Sequence, residues 1–310
     1  MCTTISTASM SREDSLRLRK SGIGGSDAGA ICGLNPYASP MSVYRDKTSE
    51  DVSDTDNEAM RQGRDLEDYV ARRFMEATGL KVRRSNMMYR SDDHPCMIAD
   101  VDRLVVGEDA GLECKTASAY NADKWKDGEV PMHYLIQCCH YMAVTGKKAW
   151  YIAVVILGQE FKYAKITRDD AMIANLIAIE EAFWNSHIIP RIVPPPDGSK
   201  ACDEVLEQYF HRARKDSAIP LIGFDEKLNR RSELLGKIKQ LEQEQRQIEQ
   251  EVKLFMQDNE IAASDKYRVS WANVDTARLD TKRMKAEKPE VYQNFVKVTS
   301  SRRLTIKAAS

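Results

Sequence analysis

The 310-residue chain has no apolar run long enough to span a bilayer, which excludes an integral helical membrane protein. Its opening, MCTTISTASMSREDS, lacks the basic and apolar stretches of a secretory signal, so the expected compartment is the cytoplasm. There is no excess of one charge either: 46 Lys and Arg against 47 Asp and Glu leave a net charge of -1. A surface for a polyanion therefore has to be a local patch. No CxxC pair occurs. The seven cysteines, at 2, 32, 96, 114, 138, 139 and 202, are scattered and odd in number, which suits reduced thiols. Cys138 and Cys139 fall on a predicted helix, where neighbours point about 100° apart, an arrangement that disfavours a zinc or iron–sulfur site. What is present, 42% hydrophobic and 30% charged residues, is the make-up of a globular chain. Its length suits one large domain with an appendage, or two modest domains.

Periodicity and turn chemistry divide the chain. GIGGSDAGAI reads as a tight turn entering a helix capped by Ser26 or Asp27, and a second helix begins at Pro40 or Met41. EDVSDTDNEAM is a polar loop. The next run carries Leu66, Val70 and Phe74 at helical spacing and stops at Gly79. Residues 81–116 are expected to form a β-meander, followed by a helix in PMHYLIQCCHYMAVTGKKA, a buried strand in AWYIAVVIL with its hairpin partner, and a helix over 169–187. This order predicts an α/β (α+β) protein with a mixed central sheet flanked by helices.

Four prolines in PRIVPPP mark an expected boundary near residue 197. Beyond it, Leu234, Ile238, Leu241, Gln245, Ile248, Val252 and Phe255 repeat at alternating steps of four and three, a short heptad seam within 198–262. The seam suits an α-hairpin within its own domain or a self-associating coiled coil. From Asp265 to the end there are eleven Lys or Arg against five Asp or Glu. Residues 263–310 are read as a small basic α+β module with a strand in KYRVSWANV, a helix in DTKRMKAEKPEVYQNF and a closing strand in RRLTIK.

Chemistry concentrates in IADVDRLVVGEDAGLECKT. Alternation along a strand puts Glu113 and Lys115 on one face and Leu112, Cys114 and Thr116 on the other. In a hairpin with Val106 opposite Gly111, Leu104 faces Glu113 and Asp102 faces Lys115, so all three charged groups emerge together. Two carboxylates on adjacent strands repel, a divalent cation relieves that repulsion, and oxygen ligands favour Mg²⁺ or Mn²⁺ over zinc.

An Asp followed about ten residues later by Glu-x-Lys resembles the signature of the PD-(D/E)xK nucleases. Three further blocks occur in chain order: GRDLEDYVARRF with Glu67 on a helix, IQCCHYMAVTGKKAWYIAV with Gln137 and Tyr141 one turn apart, and GIGGSDAGAICGLNPYASP near the start. Together they resemble the YqaJ-type viral recombinase exonucleases, the group that contains phage lambda exonuclease, over roughly residues 15–190. The resemblance implies a restriction-endonuclease-like core over 1–197. It also implies a 5′-to-3′ exonuclease on linear duplex DNA that leaves 3′ overhangs for a single-strand annealing partner, working as a trimer in the host cytoplasm. By the same resemblance Glu67, Asp102, Glu113 and the Cys114 carbonyl would hold two metal ions. Lys115 would orient or deprotonate the attacking water, helped by a depressed pKa. Gln137 and Tyr141 would support the site, and Arg19 and Ser26 would receive the terminal 5′ phosphate. Arg103 stands where the family often has Gly and is expected to contact a DNA phosphate, while Asp100 and His94 are possible assistants. An endonuclease on the same core, or a catalytically silent DNA-binding or assembly protein, are the alternative readings.

Overall fold

The computed structural model describes residues 1–51 and 57–307; residues 52–56 of the expected EDVSDTDNEAM loop lie outside the described residues, and its last three open a helix. The chain divides into two compact units, Met1–His211 and Arg212–Ser310.

In the first unit, β1 (Cys2–Ser6) leads into α1 (Arg12–Lys20), α2 (Gly25–Ile31), α3 (Pro40–Thr48) and α4 (Glu58–Thr78). Ser11, Ser39 and Asn57 cap α1, α3 and α4 by accepting from backbone N–H groups in the first turn, and Gly79 closes α4 at φ 73°. The expected meander is divided between two sheets. KVRRSNMMYRSD breaks at Asn86, whose φ is 49°, into β2 (Val82–Arg84) and β3 (Met87–Ser91). CMIADVDRLVV breaks at Val101–Asp102 into β4 (Ile98–Asp100) and β5 (Arg103–Val105). The polar opening of the chain, β1, pairs with β3, which pairs with β4.

The central sheet runs β2-β5-β6-β7-β8, with β6 (Ala110–Ala117), β7 (Ala149–Ile156) and β8 (Glu160–Thr167). β6 and β7 are parallel while the other pairs are antiparallel, so the expected mixed sheet is observed. A parallel pair requires a crossover, supplied by α5 (Met132–Thr145). Two layers cover the sheet. Ile136 and Met142 of α5 pack with Leu104, Trp150 and Ile152 on one face, and Val70 and Phe74 of α4 pack with Val105, Leu112 and Tyr151 on the other. β7, buried on both sides, reads AWYIAVVI, the near-continuous apolar run that such a strand needs. α6 (Asp170–Phe183) runs into a π turn over Trp184–Ile188.

The boundary expected at residue 197 falls later. α7 (Lys200–Tyr209), past the proline stretch, returns to the first unit, where Cys202 and Val205 bury against Met41 of α3. In the second unit α8 (Asp225–Met256) is a single helix of 32 residues, followed by the hairpin of β9 (Ile261–Ala263) and β10 (Arg268–Ser270). The expected tail helix is two short ones, α9 (Thr281–Glu287) and α10 (Pro289–Asn294), because Pro289 is accommodated only in a first helical turn. Residues 302–307 form no strand. Among the described residues no helix is long and apolar enough to cross a membrane.

Candidate active site

β6 carries the centre. Its alternation sends Leu112 and Cys114 towards α4, and Glu113 and Lys115 towards α5. The two charged groups meet directly: Lys115 Nζ lies 2.6 Å from Glu113 Oε1 and 4.8 Å from the Tyr134 ring centroid. Gln137 Nε2 donates to the same Glu113 oxygen at 2.8 Å and to Tyr141 Oη at 2.8 Å. Gln137 and Tyr141 are thus brought together with Glu113, as one helical turn of spacing suggests.

The hairpin register differs from the expected one. Arg103 pairs with Leu112 and Leu104 with Gly111, which carries Asp102 to Glu113 rather than to Lys115. The shift is by an even step, so the faces are preserved and the acids still converge. Because the ladder breaks at Val101–Asp102, the Asp102 side chain is released from it, and Oδ2 accepts from Cys114 N at 2.8 Å. The Cys114 thiol packs on the α4 side, and burial raises its pKa well above the ordinary cysteine value, followed by the Asp102 and Glu113 charges. Cys114→Ala keeps the backbone N–H and carbonyl. If the chain hydrolyses DNA as the resemblance implies, nucleotide release by this variant is expected within about twofold of the parent, since only a small apolar volume changes.

Electrostatics at the centre are strained in one direction. Burial, then the carboxylates of Glu113 and Glu67, push the Asp102 carboxyl well above the usual range, against Lys115 and the Cys114 N–H. Glu113 Oε2 is buried and, among the described residues, has no hydrogen-bond partner. An orphaned carboxylate oxygen beside a second, crowded carboxylate fits a hard divalent cation. Among the described residues, no three His, Cys, Asp or Glu side chains form a ready-made metal cluster. The reason is visible at Glu67 and Glu113, which are held by cations of the protein itself, Arg103 and Lys115. Burial works to discharge Lys115, yet Glu113, Tyr134 and Asp102 more than offset it and hold the ammonium above the ordinary lysine range. The expected depressed pKa is therefore not found, and in this state Lys115 is a fixed positive charge and a donor.

Arg103, expected at a DNA phosphate, is 4% exposed and ion-paired to Glu67 and, at 2.5 Å, to Asp68 of α4. A cleft of about 230 Å³ opens beside this clamp, lined among others by Glu67, Arg84, Asp100 and Asp102. Asp100 is exposed at its rim. His94 lines no part of it and meets Glu181 Oε1 at 2.8 Å. Arg19 and Ser26 are both exposed, and the Arg19 charge acts on Asp27 of α2. Asp27, not Ser26, caps α2, accepting from Gly24 N at 2.8 Å and pairing with Lys47 at 2.7 Å.

Sequence reasoning missed how α2 is joined to the site. A Cβ at Gly25 would lie 2.7 Å from Tyr141 Cε1 and 2.9 Å from Gln137 Cγ, so this glycine lets α2 lie flat on the helix that supports Glu113. The sequence presents this stretch as a tight turn into a helix, and only the packing reveals why Gly25 has no side chain. Also missed was a pair that ties α5 to α6, for which Glu180 on an otherwise apolar face was the one signal. His140 Nδ1 faces Glu180 Oε1 at 2.9 Å, and Nε2 faces the Ile98 carbonyl at 2.8 Å. Burial opposes the charge on His140, but Glu180 prevails and raises its pKa; burial above all raises Glu180. Both groups bind protons more tightly folded than unfolded. Their contribution to stability is therefore complete at low pH and lost as pH rises through the folded values. The urea midpoint of the parent should fall more between pH 5.5 and 8.5 than that of His140→Gln/Glu180→Gln, and equal falls would remove the pair from the explanation.

The mixed sheet, its flanking helices and Glu113 on β6 beside Asp102 give the protein the PD-(D/E)xK type of fold. Residues 14–148 match the model of the YqaJ-like viral recombinase domain. The chain is 38% identical over 306 residues to the protein YqaJ of Bacillus subtilis (strain 168), covering 97% of this chain and 96% of that one. The chain belongs to the YqaJ-like viral recombinase family. Among solved structures, the alkaline exonuclease LHK-Exo of Laribacter hongkongensis in complex with dAMP is 21% identical with a TM-score of 0.50, over 56% of this chain and 91% of that one. A second structure of that exonuclease gives 0.49 at the same identity and coverage.

Proposed function

We propose that the protein is a metal-dependent deoxyribonuclease that degrades one strand of linear duplex DNA from its 5′ end, leaving 3′ single-stranded overhangs for a single-strand annealing protein. The observation that carries this reading is Glu113, with one oxygen gripped by Lys115 and Gln137 and the other buried, unpartnered, beside Asp102. Family membership and a fold shared with an alkaline exonuclease support it.

In this reading Glu67, Asp102, Glu113 and the Cys114 carbonyl would hold Mg²⁺ or Mn²⁺. Such ions, when bound, would supply charge relief at the phosphorus and at the leaving 3′ oxygen. Lys115 holds the attacking water by donating to it and adds positive charge where the phosphoryl oxygens gather negative charge. Gln137, itself held by Tyr141, keeps the Glu113 carboxylate in one rotamer. Arg84, exposed at the cleft rim and paired with Asp68, would meet the DNA backbone, and Arg19 with Ser26 would receive the 5′ phosphate.

The test is end polarity. Linear duplex bearing or lacking a 5′ phosphate, and covalently closed circular duplex, are incubated in Mg²⁺. Expected is release of nucleotides from linear DNA only, faster with the phosphate. Cleavage of the closed circle would replace the exonuclease with an endonuclease, and absence of hydrolysis in Mg²⁺ and Mn²⁺ across alkaline pH would favour a silent DNA-binding protein.

A further inference from the structure

The α-hairpin that could have buried the heptad seam is not formed. Leu234, Ile238, Leu241, Ile248 and Phe255 are all 43% exposed or more along α8. From Leu234 to Phe255 the stripe runs about 32 Å along α8, and an apolar stripe of that length exposed to water calls for a cover. The charges beside the stripe identify it.

With Ile238 and Val252 at heptad position a and Leu234, Leu241, Ile248 and Phe255 at d, the g positions read Arg230, Lys237, Glu244 and Glu251. The g row is therefore positive in its first half and negative in its second. Such a row complements itself only when reversed. In an antiparallel pair, g faces g. Arg230 then meets the partner's Glu251, Lys237 meets the partner's Glu244, and the twofold axis repeats both contacts. Sliding one helix by a heptad in either direction puts Lys237 against the partner's Lys237 or Glu244 against the partner's Glu244. A parallel pair, in which g meets the following e, opposes Glu244 to the partner's Glu249 and stacks Arg231 on the partner's Arg231 in the seam.

The seam agrees with the same register. Ile238 comes opposite the partner's Leu241 at the centre, Arg231 opposite the partner's Ile248, and Phe224, just before the helix, opposite the partner's Phe255. Arg231 there lays its aliphatic stem along the seam with its charge at the edge. Gln245, the polar interruption, is hydrogen-bonded to Glu249 of its own helix at 2.9 Å, which lessens the cost of facing the partner's Leu234.

We propose that α8 is a homodimerisation element in which two copies of this chain pair antiparallel, with the twofold axis beside Lys239 and Gln240 and the Arg230 and Lys237 half of one helix against the Glu244 and Glu251 half of the other. The inference is independent of the nuclease reading.

Two experiments on the full chain test it. Arg231→Cys and Ile248→Cys chains, mixed and mildly oxidised, should form an interchain disulfide between 231 and 248, identified by peptide mass mapping; α8 has no native cysteine. A prevalence of 231-to-231 and 248-to-248 links would mean a parallel pair, and no link at either position would leave α8 unpaired. Either result overturns the proposal. Sedimentation at low salt adds a charge test. Glu244→Lys should weaken the dimer about tenfold or more, and Lys237→Glu/Glu244→Lys should restore it by exchanging the partners. Strengthening by Glu244→Lys, which a parallel pair requires, would reject the antiparallel arrangement.

Discussion

Lys115→Ala is expected to lower the rate of DNA hydrolysis about a thousandfold while leaving duplex binding within a few-fold of the parent. Among the described residues the ammonium is the one cation paired with Glu113, at 2.6 Å, and it sits against the Tyr134 ring, so its position is fixed from two sides before DNA arrives. A preorganised donor of this kind acts on the charge that develops during reaction, and its loss appears in kcat more than in the affinity for DNA. Because the raised pKa keeps Lys115 charged, the loss should persist across neutral and alkaline pH. Lys115→Met, which retains the stem and removes the charge, should be as inactive as Lys115→Ala. Single-turnover release of nucleotides from an end-labelled duplex measures the first effect, and fluorescence anisotropy on the same duplex the second. Turnover retained in Lys115→Met would remove the ammonium from the mechanism.

Gly111→Ala should destabilise the first unit by about 3 kcal/mol, a large effect for one methyl group. Gly111 lies on β6 two residues before Glu113, on the same face. A Cβ there would stand 2.3 Å from Trp150 Cζ2 and within 2.6 Å of two further ring atoms. Trp150 is fully buried and leans on Tyr141 at a centroid distance of 5.1 Å, so the ring has no free space to retreat into. Any retreat disturbs the helix that carries Gln137. Chemical denaturation followed by tryptophan fluorescence reads the loss. Gly63→Ala is the contrasting control, since that glycine lies inside α4 with Thr116 Oγ1 3.9 Å from the added carbon, and it should be neutral or stabilise by up to about 1 kcal/mol. Equal effects at the two positions would mean that the strand–Trp150 contact is looser than described.

Much of the candidate site was legible without the fold. Period-two alternation is local, so the shared face of Glu113 and Lys115 followed from LECKT alone, and the one-turn spacing of Gln137 and Tyr141 followed from the helix period. The same holds for Asp27 as one of two cap candidates for α2, for Gly79 as a stop, and for the seam of α8. The register of the hairpin was not legible, because turn length and partner choice depend on contacts outside it, although the even step kept the acids together. Arg103 shows the limit more sharply. As a lone Arg after Asp102 it resembled a phosphate contact, and only α4, packed across β5, turned it into the clamp of Glu67 and Asp68.

By itself, then, the sequence determined the order of the main elements of the first unit, the mixed-sheet fold class, the residues that share a face, and the charge halves of α8, since each follows from patterns along the chain. The tertiary structure alone decided which strands join which sheet, that Gly25 and Gly111 are demanded by Tyr141 and Trp150, that His140 is tied to Glu180, and that Glu113 keeps one oxygen unpartnered. Those depend on which surfaces meet across tens of residues, where close packing and the pairing of buried charge, rather than local periodicity, choose the arrangement.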